Sequence, residues 1–309
     1  MEGALAQTYG PLEILIFDDC SSDGTPEIIK NMINNAKDLR RIKLYENKIN
    51  KGLTSQINSA MKEAKGRLIV VAAGDDFSFS DRVEKIVTYW VSAGEMSGSI
   101  FSSFKTINDA GVVRNHPVQG GVKEISLGDK KIDELRSISM GTRGCTHAWT
   151  KDFFDYFGPM DDEIIHEDIT IPLRSLMLGK IVHLPDELVL YRISGNSQSR
   201  IAFSSANERM RKMARYWRGR VANYKQFEKD STLAMSDNLL SKEDFIWMND
   251  VINEERAISN YYYNYFSASP LKRIILAADF STRIPGLIRI KMAVLALFPF
   301  LYRYKRNSG

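Results

Sequence analysis

The sequence predicts an α/β protein with a mainly parallel sheet flanked by helices, followed by a helical appendage over residues 201–309. Three observations carry that prediction. Apolar strand-like runs alternate with helical periodicity over residues 12–90. Two of those runs, 14–17 and 68–72, each deliver a carboxylate pair into a turn, Asp18-Asp19 and Asp75-Asp76, and open α/β sheets place their ligands at such strand ends. Beyond Arg200 the pattern changes to long helical spacing rich in Arg, Lys, Met and aromatics.

The first strand, residues 12–17, ends in Asp18-Asp19-Cys20-Ser21-Ser22-Asp23-Gly24-Thr25. Thr25 reads as a helix cap with Pro26 at the first helical position and Glu27 in the first turn, and Ile28, Ile29, Met32, Ile33 and Ala36 then recur at helical spacing. A short strand at 42–45 runs into the polar loop 47–52. A helix over 53–65 follows, with Ile57, Ala60, Met61 and Ala64 on one face and Gly66 as its stop. The strand at 68–72 is apolar throughout, as for a strand covered on both faces, and ends at Ala73-Gly74-Asp75-Asp76. Ser80 caps the next helix, whose buried face is Val83, Ile86, Val87 and Trp90. Further on, helices are read at 152–157 and 169–177, the second preceded by His166-Glu167-Asp168. Residues 207–230 and 242–266 read as the helices of the C-terminal region.

Composition narrows the function classes. With 309 residues, 44% of them hydrophobic and 26% charged, the chain is an ordinary globular protein, long enough for a sizeable core. A net charge of +4, with the basic residues gathered near the C-terminus, argues against a nucleic-acid partner. Cys20 and Cys145 lie far apart without metal-ligand spacing, so neither a disulfide framework nor a zinc site is expected, and a cytoplasmic location is. Residues 1–10 carry no secretory pattern. The segment 284–306 mixes apolar residues with Arg289, Lys291, Arg303, Lys305 and Arg306. Its uninterrupted apolar stretch, 292–301, falls short of the ~20 residues a spanning helix needs, so the expectation is peripheral contact with the inner face of a membrane.

Carboxylates at neighbouring strand ends suit Mg²⁺ or Mn²⁺, hard cations that bridge protein carboxylates to a substrate diphosphate. Simpler readings exist for each pair: turn formation for Asp18-Asp19 and Asp75-Asp76, and favourable helix-dipole charge for Glu167-Asp168. A phosphoacceptor receiver domain also uses paired acids at strand ends, but it leaves Glu167-Asp168 unexplained.

The ordered set from Asp18 to Thr25, then Asn50-Lys51-Gly52 with Asn58-Ser59-Ala60, then Gly74-Asp75-Asp76, resembles family 2 glycosyltransferases of the Rossmann-like GT-A fold. His166-Glu167-Asp168 with Leu173-Arg174 and Gly179, and then Leu190-Tyr191-Arg192, extend the resemblance, which covers residues 4–200. It implies a catalytic domain over 1–200, a nucleotide-sugar donor with UDP-sugars favoured, Mn²⁺ or Mg²⁺, and inversion by single displacement. The implied acceptor is a hydroxyl of a glycan or lipid-linked molecule, and the implied role is hexosyl transfer in cell-surface polysaccharide assembly. Carried over residue by residue, Asp18, Asp19 and Ser21 match the nucleoside-contacting segment, with Asp23, Asn50 and Gly52 beside them in the donor site. Asp75 matches the metal-binding acid, Asp168 the catalytic base, and Glu167 a neighbour that orients the acceptor or raises the Asp168 pKa. Residues 144–149 fall where the family shapes its acceptor pocket, with Trp149 read either as a sugar-stacking ring or as core.

The sequence departs from the family pattern at Ala73, which replaces the first acid of the usual metal motif, and at Ile57 and Ser194, where basic residues are common. Family members also open with a strand and turn ahead of the helix read here at 4–7. The expectation is therefore an N-terminally truncated chain or a misplaced start. The alternative function is a catalytically inactive binding or scaffold protein of the same fold.

Overall fold

The computed structural model describes residues 1–36, 41–115, 121–127, 143–193 and 206–278. Helix α1 (Glu2–Leu5) precedes strand β1 (Ile14–Asp18), α2 (Thr25–Asn34), β2 (Ile42–Glu46) and α3 (Leu53–Glu63). Strands β3 (Leu68–Val70) and β4 (Phe77–Ser78) bracket the second acidic turn, and α4 (Arg82–Ser92) follows. Next come the long β5 (Gly98–Asn108), β6 (Val113–Asn115) and β7 (Lys123–Ile125). A 3₁₀ turn (Gly144–Thr146) enters β8 (His147–Thr150), then α5 (Asp152–Phe157), α6 (Glu167–Leu178) and β9 (Lys180–Ile193). Helices α7 (Ala206–Ser236), α8 (Lys242–Ser267) and α9 (Pro270–Ala278) complete the described chain.

Local rules account for most element ends. Pro26 lies in the first turn of α2, but Gly24 takes the cap position assigned to Thr25, because the Asp23 carboxylate accepts the Thr25 N–H at 3.0 Å and starts the helix one residue earlier. Helix α4 buries Val83, Ile86 and Trp90 as its spacing predicts, together with Arg82.

The α/β class stands, with a mixed sheet in place of the mainly parallel one expected. Its strands run β3-β8-β5-β9-β4, with β6 on β5 and β7 on β9, while β1 and β2 form a separate parallel pair. In the larger sheet only β5 and β9 pair in parallel. The physical reason is non-local: β8 inserts between β3 and β5, antiparallel to both, and the two-residue β4 closes antiparallel on β9. Strand β3 is half-buried instead of enclosed, since it ends the strand path with β8 alone beside it.

The core joins the sheet layer to the C-terminal helices. Trp149, Phe153, Phe154, Phe157, Ile164 and Ile171 form one buried cluster with Tyr224 and Phe227 of α7 and Met248, Val251 and Ile252 of α8. A second cluster sets Ile86 and Trp90 of α4 against Ile100, Ala148 and Val182 of the sheet. A polar relay crosses the core: His147 Nε2 lies 2.7 Å from Ser99 Oγ, itself 2.6 Å from Ser175 Oγ, and burial pushes the His147 pKa far down.

Candidate active site

The first acidic turn is a hydrogen-bonded unit. Buried Asp18 accepts the Ser21 N–H at 2.9 Å. Asp19 reaches across to the loop after β2: its Oδ2 accepts from Gly52 N at 2.7 Å, and its Oδ1 from Lys51 N at 2.8 Å and the Asn47 amide at 3.1 Å. Asn50 donates to the Asp19 carbonyl at 3.3 Å. Burial opposes the Asp19 charge, but the donors on Lys51, Asn47, Gly52 and Gln56 outweigh it and hold the carboxyl below its usual range. Asp18, Asp19, Ser21, Asn50 and Gly52 are thus brought together at the carboxyl ends of β1 and β2, and Asp23 stands at the exposed start of α2.

The second turn presents one free carboxylate and one held one. Asp75 is exposed, whereas half-buried Asp76 accepts the Arg192 N–H at 2.8 Å, and the Arg192 Nε donates to the Asp75 carbonyl at 3.0 Å. Burial raises the Asp76 pKa, the Arg192 N–H lowers it, and the Asp75 charge raises it further. Fully buried Arg82 lies within electrostatic reach of Asp76. Its Nη1 donates to Ser78 Oγ at 2.9 Å, its Nε and Nη2 have no hydrogen-bond partner among the described residues, and burial pulls its pKa down to about 10. The Cys145 thiol hydrogen-bonds Asp76, and burial pushes its pKa up to about 12.

Glu167 and Asp168 open α6, with His166 in the cap position. Glu167 is buried and Asp168 half-buried. Burial raises both carboxyls, and the Asp168 charge raises Glu167 further. Asp168 is drawn back by the N–H groups of its own residue and Gly144 and by the charges of Arg220 and Arg143. Burial thus favours the neutral form of both carboxyls, and most strongly that of Glu167, where the Asp168 charge adds to it.

The 3₁₀ turn connects these two acidic pairs: Cys145 touches Asp76, and Gly144 lies against Glu167. A Cβ on Gly144 would collide with Glu167 Oε1, the far end of a flexible side chain that would have to move aside. Gly144→Ala is expected to displace the Glu167 carboxyl and lower turnover by roughly 10²-fold, with donor affinity preserved, in parallel transfer and calorimetric assays. Turnover at the parental level would show that the pair tolerates movement.

The ambiguity at Trp149 resolves, and His166 is placed. Trp149 is core, 1% exposed, and donates to Met61 Sδ at 3.4 Å. The His166 ring packs edge-on against Tyr216 at 4.7 Å, and burial lowers its pKa to about 4, leaving it neutral. Sequence reasoning missed Arg82, Arg143 and the α7 residues near Asp168. The Arg143 guanidinium lies 4.7 Å over Phe104 and 5.1 Å over Tyr191, three residues that no sequence period links. Ser194, residues 284–306 and part of loop 108–121 lie outside the described residues.

Among the described residues, no three His, Cys, Asp or Glu side chains converge to hold a metal. Asp75 offers one exposed carboxylate, an oxygen donor of the kind hard cations take.

A sequence profile described as Glycosyl transferase family 2 matches residues 1–156. The Escherichia coli protein named UDP-Glc:alpha-D-GlcNAc-diphosphoundecaprenol beta-1,3-glucosyltransferase WfaP is 35% identical over 121 residues, 35% of this chain and 46% of that protein. An uncharacterized glycosyltransferase of Haemophilus influenzae is 26% identical over 218 residues, 68% of this chain and 65% of that protein. The chain spans between 26% and 65% of the length of the curated relatives it matches. The crystal structure of S. aureus TarS 1-349 in complex with UDP-GlcNAc aligns with 100% of this chain and 89% of its own, with a TM-score of 0.55 at 14% identity, a likeness of fold. The profile takes in half of the sequence and the first two acidic turns, over a fold of GT-A type, and on that ground the chain belongs to glycosyltransferase family 2.

Proposed function

We propose that this chain transfers a sugar, with inversion, from a UDP-sugar to a hydroxyl of a glycan or lipid-linked acceptor in the assembly of a cell-surface polysaccharide. The observation that carries the reading is the Glu167-Asp168 pair, linked through Gly144 and Cys145 to Asp75-Asp76. UDP-GlcNAc in the TarS complex and UDP-Glc in the name of WfaP support the donor class, and the diphosphoundecaprenol in that name supports the acceptor class.

In this reading the Asp18–Ser21 and Asn50–Gly52 unit holds the nucleoside, with Asp23 at its rim. Asp168 accepts the proton of the acceptor hydroxyl as its oxygen bonds to the anomeric carbon. The bond from that carbon to the phosphate oxygen breaks on the opposite face, and nucleoside diphosphate leaves. Protonated Glu167 orients the acceptor and adds no second charge beside the base. Asp75 would hold Mn²⁺ or Mg²⁺, which supplies positive charge to the leaving diphosphate.

Calorimetry with UDP and UDP-glucose, with and without Mn²⁺, tests the donor site. Metal-dependent binding is expected, weakened about tenfold or more in Asp75→Asn. Equal affinity in that variant removes Asp75 from the site, and no binding of any nucleotide sugar favours the scaffold reading. Among the described residues no helix is long and apolar enough to cross a membrane. Peripheral contact at the cytoplasmic face through 284–306 extends the proposal, helped by Leu271, Ile274 and Ile275 exposed on α9. Failure to co-sediment with anionic vesicles would remove it.

A further inference from the structure

We infer that α7 is a working part of the active site: Tyr216 and Asn223, with buried Arg220 on the same helix face, hold the start of α6 and position Asp168 as the base. The inference rests on the base reading of Asp168 and adds to it a helix that lies outside every acidic motif.

Residues 216, 219, 220 and 223 fall at spacings of three and four, on one face of a helix. That face meets the segment leading into Asp168. The Tyr216 ring packs edge-on against His166 at 4.7 Å. Gly219 approaches Ile165 so closely that a Cβ would collide with its side chain, so the glycine lets α7 come this near. Fully buried Asn223 donates through Nδ2 to the His166 carbonyl and to Thr170 Oγ1, both at 2.7 Å, and so spans the first turn of α6 around Glu167 and Asp168. Lower on the same stripe, Gln226 Oε1 accepts the Asp161 N–H at 3.0 Å. Helix α3 holds the other side: Thr54 donates to the Ile164 carbonyl, and the Asn58 amide exchanges two bonds with the Met160 backbone at 2.8 and 2.9 Å. The base is mounted on a segment clamped from both sides.

Arg220 supplies charge as well as shape. It is buried, with its guanidinium over the rings of Trp217 at 5.8 Å and Tyr224 at 5.6 Å, a bond of 2.6 Å to the Tyr224 hydroxyl, and Glu255 of α8 at 3.6 Å. An apolar side chain would pack there without the desolvation cost of a buried cation. The Arg220 charge bears on Asp168, favouring its carboxylate, and on His166, favouring its neutral form. Among the described residues, Glu167 on its own helix and Arg143 before the 3₁₀ turn also bear on Asp168.

The test is a double-mutant cycle of Asp168→Asn and Arg220→Met, read by urea unfolding at pH 7 and pH 4.5. At pH 7, Arg220→Met should change the unfolding constant about tenfold more in the parent than in the Asp168→Asn background. At pH 4.5, where a carboxyl raised by burial holds its proton, the difference should vanish. Losses at Tyr224 and Glu255 are common to both backgrounds and cancel. Arg220→Lys, which keeps the charge, should keep the coupling. In transfer assays the acid limb of kcat should move to higher pH in Arg220→Met, with donor KM unchanged. A coupling that is absent, or equal at both pH values, overturns the inference, as does an unmoved acid limb. Retained turnover in Asp168→Asn would instead remove the base reading, which the cycle does not test.

Discussion

Asp168→Asn is expected to lower transfer by about 10³-fold, the scale of a lost general base, with donor affinity unchanged. Asparagine matches the carboxylate in shape, so the N–H donors that meet Asp168, its own and that of Gly144, keep an oxygen acceptor. What disappears is a group able to take the hydroxyl proton. The pH dependence carries a sign: burial places the Asp168 pKa above the usual carboxylate range, and the base must be ionised, so turnover rises with pH through that value. In Asp168→Asn the acid limb should be gone. Glu167→Gln should cost much less, because Glu167 already holds its proton, pushed up by burial and by Asp168. Rates and UDP-sugar affinity measured between pH 5 and 9 decide this. A flat wild-type profile, or a larger loss in the Gln variant than in the Asn variant, would reverse the roles of the two acids.

The largest expected loss of stability is in Asp230→Ala, about 3–5 kcal/mol by urea unfolding. Asp230 on α7 accepts from Arg174 Nε at 2.7 Å and Nη2 at 3.3 Å, with the two side chains 2% and 0% exposed. Burial raises the Asp230 carboxyl even against the Arg174 charge, so ion pairing does not recover the whole desolvation cost. The pair is costly to break for another reason: the Arg174 cation would stay inside with only the Gly158 carbonyl at 2.8 Å and the rings of Phe154 and Phe157. Replacing both partners, as Arg174→Met with Asp230→Leu, should recover much of the loss, since no uncompensated charge remains. A loss below about 1 kcal/mol in Asp230→Ala would mean that water reaches Arg174 once the partner is gone.

The part of this molecule legible in the sequence is the part governed by neighbours along the chain. Helical periodicity located α3, α4, α5 and α6 to within a few residues, and the 207–230 and 242–266 patterns fall inside α7 and α8. Acids at the ends of apolar strands marked Asp18-Asp19 and Asp75-Asp76, since a strand followed by a turn is a local pattern. Strand pairing is not local, and the insertion of β8 between β3 and β5 made the sheet mixed where alternation had predicted a mainly parallel one. The same holds for charge. In sequence, Arg220, Asn223, Gln226 and Asp230 belong to the helical pattern over 207–230 and Arg82 to the helix capped at Ser80, and nothing in the spacing names a partner for any of them. Tertiary packing buries all five and turns four of them toward the acidic pair and its segment, because a polar side chain shows its partner only once another element arrives to desolvate it. The sequence by itself determined the family, most of the helices and the candidate acids; the tertiary structure alone decided the strand pairing, the burial of Glu167 beside Asp168 and which helix packs against their segment, because those contacts join residues far apart in the chain.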